Sequence, residues 1–191
     1  GFMVNGAAGH MEDGAERLVK TPWSEKEIPF TQAAELGTRK VITDHSTIGI
    51  VVTTDGSFGD LARESYLDAE EKTIQELKKL RKPFCVLVNS ARPYSVEAED
   101  AARQLRERYQ VCAMPVNCAQ LKEEDIRHIM EAGLYEFPVT MVEFYMPKWV
   151  EMLPASHRMK ADMIERIREL MASIHTIRDV AEHPVSLSGD Y

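Results

Sequence analysis

Polar residues follow three apolar runs of this sequence, at the points where the runs end. They are Asp55 after residues 47–54, residues 89–92 after residues 84–88, and residues 117–119 after residues 111–116. An apolar run without alternation between two prolines, such as residues 84–88, is typical of a strand buried on both faces of a parallel sheet. Ligands of open α/β sheets bind beyond the carboxyl ends of the strands, so these polar clusters indicate a ligand-binding edge. The alternative is that Asn89 only turns the chain.

A receiver phosphorylation site and a dinucleotide-binding site are both disfavoured, because the sequence lacks residues that each of them needs. A response-regulator receiver would use Asp55 as the phosphate acceptor, but it needs an acidic pair at an earlier strand end and a lysine at a later one. The later strand ends in Asn89, and residues 1–29 offer no acidic pair after a strand. A dinucleotide site of the Rossmann type needs a Gly-x-Gly-x-x-Gly turn between a strand and a helix, and that turn is absent from the sequence.

The strand ends are typical of the second half of a GTPase-like P-loop domain. There, one strand ends in Asn-Lys-x-Asp, which reads the nucleotide base, and the next ends in Ser-Ala-x, whose backbone approaches the base. Asn89 stands in the first place, and Cys118 and Ala119 stand in the second. Ser90 replaces the lysine and Arg92 replaces the aspartate. Because arginine carries only donors, it cannot accept hydrogen bonds from guanine, so guanine is disfavoured and adenine becomes the candidate base.

Helical patterns alternate with the apolar runs and would position their ends. We expect helices over residues 30–44, 65–80, 95–109 and 122–135. Ser95 would cap the third of them, and Ile126, Ile129, Met130 and Leu134 would face inward in the fourth. Strand–helix alternation at this spacing predicts right-handed βαβ units on a parallel sheet, so the fold class is α/β.

The two ends of the chain are predicted to differ from this α/β core. Residues 1–29 are rich in glycine and polar residues and are interpreted as a long loop. Pro138 marks a predicted boundary, which gives one domain over residues 1–138 and the beginning of an α+β domain over residues 139–191. In that second part we expect a strand at residues 139–145 and a long helix at residues 155–179.

Composition excludes several broad functions. The net charge of −8 disfavours broad nucleic-acid binding, and the longest apolar run is far shorter than a membrane span. Three cysteines at dispersed positions favour a reducing cytosol, and they lack the ligand spacing of a metal site. Asp55 and Asp60 are interpreted as turn formers, and Arg63 as a surface charge.

Several long strings of the sequence closely resemble the stage IV sporulation protein A family, and the resemblance covers essentially the whole chain. The strings are Thr21-Pro22-Trp23, Ile28-Pro29-Phe30, Ala33-Ala34-Glu35-Leu36-Gly37-Thr38-Arg39-Lys40-Val41-Ile42, His45-Ser46-Thr47-Ile48-Gly49, Thr53-Thr54-Asp55-Gly56, Asn89-Ser90-x-Arg92-Pro93-Tyr94, Leu134-Tyr135-Glu136-Phe137-Pro138-Val139 and Pro147-x-Trp149-Val150.

The resemblance implies an ATPase of endospore-forming bacteria that hydrolyses ATP, with Mg²⁺, to polymerise irreversibly. The homopolymer would form the basement layer of the spore coat on the mother-cell, cytoplasmic face of the forespore and support coat and cortex assembly. A small amphipathic protein would recruit it to that membrane, and other coat proteins would join it. The predicted nucleotide-binding residues are Gly1, Asn89, Arg92, Cys118 and Ala119.

The family's phosphate-binding loop, switch threonines and magnesium-binding aspartate would all lie upstream of this sequence. Gly1 matches the glycine that closes the family's Asp-x-x-Gly. We therefore expect residues 1–191 alone to be an inactive piece of a longer protein, because phosphoryl transfer depends on positioning and electrostatic stabilisation of the phosphates. An alternative is a structural scaffold module with a degenerate nucleotide-binding fold that assembles without hydrolysis. Self-association of the isolated chain is expected, because residues 47–54 would form an unpaired apolar edge.

Overall fold

The computed structural model describes residues 2–182 and divides the chain into two compact units, residues 1–133 and residues 134–191. The first unit contains a parallel sheet flanked by helices. The second unit is mainly helical. Within residues 2–182, no helix combines the length and apolar character that a membrane span requires.

Two antiparallel hairpins occupy much of the region that the sequence predicted as a long loop. They are β1 (Met11–Glu12) with β2 (Ala15–Glu16), and β3 (Leu18–Thr21) with β4 (Ser24–Pro29). Asp13 and Gly14 form the first turn, with φ of 51° and 79°. Positive φ at both central residues is typical of a two-residue hairpin turn, and Asp-Gly is a sequence that favours it. The loop prediction was therefore wrong for residues 11–29.

A three-stranded parallel sheet forms the centre of the first unit. Its strands, in spatial order, are β5 (Gly49–Thr54), β6 (Phe84–Asn89) and β7 (Cys112–Val116). Thr54 lies opposite Asn89, and Asn89 lies opposite Val116, so the three carboxyl ends meet at one edge of the sheet. The predicted α/β class with parallel strands is confirmed at this level.

Burial differs between the central and the edge strand. All of residues 84–88 in β6 are buried, as the sequence predicted. In β5, Val51 and Thr53 are buried, whereas Ile50 and Val52 on the opposite face are 49% and 58% exposed. Successive side chains of a strand point to opposite faces, so one face of β5 is buried and the other remains uncovered.

Helices cover the two faces of the sheet to different extents. One face packs against α2 (Leu67–Lys79) and α3 (Val96–Tyr109), and the other packs against Ile129 of α4 (Glu123–Tyr135). α3 follows the prediction closely: Ser95 Oγ accepts a hydrogen bond from the Ala98 N–H at 3.2 Å and caps the helix. The residues of α3 that face the sheet are buried and recur at helical spacing; they are Ala98, Ala101, Ala102, Leu105 and Tyr109.

The inward face of α4 is not the predicted one. Ile129 is buried, but the other three predicted core residues, Ile126, Met130 and Leu134, are 51%, 53% and 55% exposed. The helix instead buries small residues, and a Cβ on Gly133 would lie only 2.5 Å from Ile48 Cδ1. Close approach through glycine therefore outweighs the burial of larger side chains.

Before the sheet, α1 (Phe30–Lys40) runs along the β3–β4 hairpin and continues into a wide helical turn at Val41–His45. The predicted helix at residues 30–44 is therefore confirmed. Trp23 in the hairpin turn contacts this helix, because its ring lies 3.4 Å from where a Cβ on Gly37 would stand.

The second unit contains α5 (Lys148–Glu151), α6 (Arg158–Ser173) and α7 (Ile177–Glu182). The predicted single helix at residues 155–179 is interrupted. The reason lies in Asp179, whose Oδ2 accepts hydrogen bonds from the His175 and Thr176 N–H groups at 2.8 and 2.7 Å. Asp179 lies in the first turn of α7 and accepts from the amides just before it, as in a capping box, which favours the start of a separate helix here.

The strand predicted at residues 139–145 does not form. Among the residues that the structure describes, backbone pairing of this segment is confined to a bridge between Pro138 and Thr176, with the Val139 N–H donating to the His175 carbonyl at 3.0 Å. Met141 and Tyr145 are 75% and 87% exposed. Within the described part of this unit, no partner strand continues the pairing, and an extended segment without a partner gains no ladder hydrogen bonds.

Candidate functional site

The ends of β6 and β7 are joined by a side chain that the sequence analysis selected. Asn89 Oδ1 accepts a hydrogen bond from the Cys118 N–H at 2.9 Å. One residue further along, the Ser90 N–H donates to the Val116 carbonyl at 2.8 Å. Asn89 and Cys118 are half-buried, so the structure brings these two predicted site residues together at the carboxyl edge of the sheet.

Asn117 organises the loop after β7. Its Oδ1 accepts from the Ala119 N–H at 3.0 Å, and its Nδ2 donates to the Ala91 carbonyl at 3.5 Å. The backbone N–H groups of Cys118 and Ala119, the predicted wall of a base pocket, are thus both engaged by asparagine side chains. Asn117 was not selected from the sequence, although asparagine before a short helical turn is a common cap. Burial raises the pKa of the Cys118 thiol, which disfavours a nucleophilic thiolate.

Ser90, at the position of the lysine in Asn-Lys-x-Asp, lies inside the protein. Its side chain is fully buried, and its Oγ accepts a hydrogen bond from the Arg92 N–H at 3.0 Å. The Ser90 side chain also helps to lower the pKa of Asp55. Ser90 therefore holds the backbone of its own loop and leaves the place of the lysine open.

Asp55 is the centre of the loop after β5. Its Oδ1 accepts from the Ser57 N–H at 2.9 Å and from Ser57 Oγ at 2.5 Å. Ser57 Oγ in turn accepts from the Ala91 N–H at 2.8 Å. Burial raises the pKa of Asp55, but the hydrogen bonds from the Ser57 and Ser90 side chains and from the backbone lower it, and the net pKa lies below the ordinary 3.8.

Arg63 was interpreted as a surface charge, and that was wrong. Its guanidinium donates two hydrogen bonds to the carboxylate of Glu70, at 2.6 and 3.0 Å, and one to Thr53 Oγ1 at 2.9 Å. Glu70 is 5% exposed. Planar guanidinium and carboxylate groups match in this two-bond geometry, which fixes the end of the loop that begins at Asp55.

Arg92 and Gly1 are the remaining predicted site residues. Arg92 is exposed beside Glu97. The pKa of Glu97 is lowered mainly by its own backbone N–H and by the Ser95 side chain, with a further contribution from the charge of Arg92. Gly1 lies outside the described residues.

A cleft of about 450 Å³ lies next to this edge, between the segment after Ala91 and the start of α4. Its wall includes Tyr94, Pro115, Lys122 and His128, together with Asn117. Of the predicted site residues that the structure describes, none lines this cleft, so the base-contact residues and the cleft are neighbours rather than one pocket. Over residues 2–182, no cluster of three or more histidine, cysteine, aspartate or glutamate side chains could hold a metal ion.

Comparison with protein families gives the context for this edge. Residues 1–138 match the ATPase domain of stage IV sporulation protein A, and residues 139–190 match the middle domain of the same protein. The chain belongs to the stage IV sporulation protein A family. Because residues 1–138 match an ATPase domain, the edge formed by Asn89, Cys118 and Asn117 belongs to a domain type that acts on ATP.

Curated relatives of the family agree with this assignment. Over 180 residues, 94% of this chain, it is 48% identical to stage IV sporulation protein A of Clostridioides difficile (strain 630) and 43% identical to that of Bacillus subtilis (strain 168). It is 39% identical to that of Bacillus anthracis over the same length. The chain spans 37% of the length of these relatives. No solved structure matches it significantly. The relatives support a role in sporulation.

Proposed function

We propose that this chain is part of an ATP-hydrolysing, self-polymerising protein that forms the basement layer of the bacterial spore coat. The observation that carries the proposal is the match of residues 1–138 to the ATPase domain of the family. The chain covers only part of each relative, so the proposal concerns the full-length protein.

The carboxyl edge of the sheet suits the base of a nucleotide. Asn89 uses its oxygen to hold Cys118, and within the described residues its Nδ2 group makes no hydrogen bond, so it remains a donor for a ring nitrogen of the base. The Arg92 side chain is exposed two residues away. Ser90 stands at the position of the lysine that packs over the nucleotide in Asn-Lys-x-Asp, but its side chain is buried. This loop therefore offers no side chain at that position to cover the face of the base.

The same hydrogen bonds support adenine over guanine. Guanine presents an exocyclic oxygen and needs donors, and it also presents N–H groups that need an acceptor where Arg92 stands. The backbone N–H groups of Cys118 and Ala119 already donate to Asn89 and Asn117. An unpaired polar group in a binding site costs affinity, so the base with an exocyclic oxygen is the one that this edge disfavours.

When bound, Mg²⁺ would neutralise charge that develops on the phosphates. The described residues offer no cluster for it, and we propose that its ligands and the phosphate-binding loop are supplied by other parts of the full-length protein. This chain would contribute the base-binding edge, and residues 1–191 alone would be inactive.

We further propose that the protein assembles with itself on the mother-cell face of the forespore, recruited to that membrane by a small amphipathic protein and joined there by other coat proteins. Exposed apolar side chains on β5 and α4, including Ile50, Val52, Ile126 and Met130, support self-association. The second candidate is a scaffold that assembles without hydrolysis. The structural basis for that candidate is that Ser90 and Arg92 depart from the base-reading motif.

Full-length protein can distinguish the two candidates. Phosphate release and sedimentation would be measured with ATP, with GTP and without nucleotide, each with and without Mg²⁺. The proposal predicts that phosphate release and polymer formation both require Mg²⁺ and ATP, and that GTP is a poorer substrate. Equal polymer formation without nucleotide, together with no phosphate release, would support the scaffold and overturn the proposal.

A further inference from the structure

Two backbone N–H groups of the loop after β6 are held by serine hydroxyls, and one of these hydroxyls is hydrogen-bonded to the Asp55 carboxylate. The Ala91 N–H donates to Ser57 Oγ at 2.8 Å, and the Arg92 N–H donates to Ser90 Oγ at 3.0 Å. Ser57 Oγ in turn donates to Asp55 Oδ1 at 2.5 Å, and the Ser90 side chain helps to lower the pKa of the same carboxylate. Asp55 is therefore linked by hydrogen bonds to the segment that carries Asn89 and Arg92.

The chemistry of the carboxylate fixes the direction of every bond in this network. An ionised carboxylate can only accept, so Ser57 must donate its single hydroxyl proton to Asp55 and keep its lone pairs for an amide N–H. Ser57 is thereby held as the acceptor for the Ala91 N–H. Alanine at position 55 would leave this hydroxyl proton free to rotate, and the Ala91 amide would lose an acceptor of fixed orientation.

The loop that carries Asp55 is itself held at both ends. At its start, the Gly56 N–H donates to Thr54 Oγ1 at 3.0 Å, and Gly56 adopts φ of 89°, with the Arg63 backbone nitrogen 3.0 Å from where a Cβ would stand. At its end, Arg63 is bonded to Thr53 and to the buried carboxylate of Glu70. Because such hydrogen bonds to charged groups restrict motion, the carboxylate of Asp55 is held at a fixed place beside residues 89–92.

We propose that Asp55 is a positioning residue for nucleotide recognition: through Ser57 it fixes the backbone at Ala91, and so sets where Asn89 and Arg92 meet the base. The inference rests on the proposed nucleotide-binding function. It gives Asp55 no contact with the base. Its effect is on the affinity for ATP rather than on the chemical step.

The test uses full-length protein with Asp55→Ala, Ser57→Ala and Ser57→Thr. Asp60→Asn is the matched control, since Asp60 is an exposed carboxylate in the same glycine-rich loop. Hydrogen exchange at Ala91 and Arg92 is measured without nucleotide, and kcat and KM for ATP are measured separately. Asp55→Ala should speed exchange at Ala91 more than at Arg92 and raise KM about tenfold, the effect of losing one or two hydrogen bonds, with kcat within about twofold.

The serine variants test whether Asp55 acts on the loop through the Ser57 hydroxyl. Ser57→Ala should speed exchange at Ala91 more than at Arg92, Ser57→Thr should restore it because the hydroxyl returns, and Asp60→Asn should behave as the wild type. Unchanged exchange or unchanged KM in Asp55→Ala, or an equal effect of Asp60→Asn, would overturn the positioning role. Failure of the wild-type protein to bind ATP would instead overturn the proposed function, and the exchange data would still decide whether Asp55 holds the loop.

Discussion

The side-chain oxygen of Asn89 holds the backbone N–H of Cys118 at 2.9 Å and thereby joins the carboxyl ends of two neighbouring parallel strands. The two polar atoms of the Asn89 side chain therefore have different roles. The oxygen binds the loop after β7, and the amino group can donate to a ligand. Substitution can separate the two roles.

Asn89→Asp keeps the acceptor for Cys118 but removes the donor, whereas Asn89→Ala removes both. We expect Asn89→Asp to retain the stability of the wild type and to bind ATP about tenfold more weakly, since a ligand nitrogen loses its partner. Asn89→Ala should show the same loss of binding and also lose about 1 kcal/mol of unfolding free energy. Urea unfolding and ATP titration of full-length protein would check both. Equal ATP affinity in Asn89→Asp and wild type would exclude Asn89 as a base-contact residue.

The ion pair of Arg63 and Glu70 should contribute strongly to stability. Their side chains are only 18% and 3% exposed, so removing one partner leaves a buried charge without compensation. We expect Glu70→Ala to lower the unfolding free energy by about 3 kcal/mol, at the lower end for buried pairs because Arg63 keeps some access to water. Urea unfolding measures the loss directly.

A matched control exists on α3, where Arg103 and Asp100 pair at 54% and 39% exposure. Asp100→Ala should cost less than about 1 kcal/mol, because water screens an exposed pair. Equal losses in Glu70→Ala and Asp100→Ala would show that burial of the Arg63–Glu70 pair is without energetic consequence.

The parts of the fold that the sequence predicted well are those encoded by local patterns. Residues 84–88 are apolar without a break, and α3 carries its cap at Ser95 and its small apolar residues at helical spacing. Both segments are buried as expected. The hairpin turn at Asp13 and Gly14 was also encoded locally, but the glycine-rich composition around it was interpreted as a loop.

The candidate site could be predicted only in part, because its contacts join distant segments of the chain. Asn89 and Cys118 follow from the ends of strands, which a sequence shows. The hydrogen bond between Ser57 and the Ala91 backbone and that between Arg63 and Glu70 depend on side-chain directions that no periodicity contains. The buried face of α4 was predicted wrongly for a similar reason, because the close approach of Gly133 to Ile48 is a contact between distant segments of the chain.

Asn117 should influence the choice between bases. Its oxygen occupies the Ala119 N–H, which would otherwise be a donor for an exocyclic oxygen. Asn117→Ala frees that donor, so we expect the affinity for GTP to rise relative to ATP by about threefold to tenfold. Competition between the two nucleotides for full-length protein measures the ratio. Gln120→Ala, in the same helical turn, is the control and should leave the ratio unchanged; a shift in both variants would mean that the turn, rather than the Ala119 amide, was altered.

Asp55 gives the protein a defined dependence on acid. Its pKa in the folded protein is lowered below the ordinary 3.8. The unfolded state therefore takes up the proton at higher pH than the folded state, and the stabilisation is complete above about pH 4 and is lost as the pH falls through the folded-state pKa. Arg92 and Glu97 lie close enough to interact electrostatically with this region, so Glu97→Gln is a needed control.

The measurement is the difference in unfolding free energy between the wild type and Asp55→Asn as a function of pH. It should be constant from about pH 7 to pH 5 and shrink below about pH 4. The same comparison in the Glu97→Gln background should keep this shape. A difference that stays constant to the lowest pH at which the protein remains folded would contradict an ionised, hydrogen-bonded Asp55.

The uncovered face of β5 should cause the 191-residue chain to self-associate. Ile50 and Val52 are 49% and 58% exposed, and within the described residues β5 pairs with β6 alone. An edge strand with exposed apolar side chains tends to pair with another chain, and charged side chains on that strand oppose the pairing. The double substitution Ile50→Lys with Val52→Lys should convert an associating chain to a monomer in light scattering. Thr47→Lys adds a lysine at an exposed position just before the strand and should leave association unchanged. A monodisperse wild-type monomer at tens of micromolar would show that this face does not drive assembly.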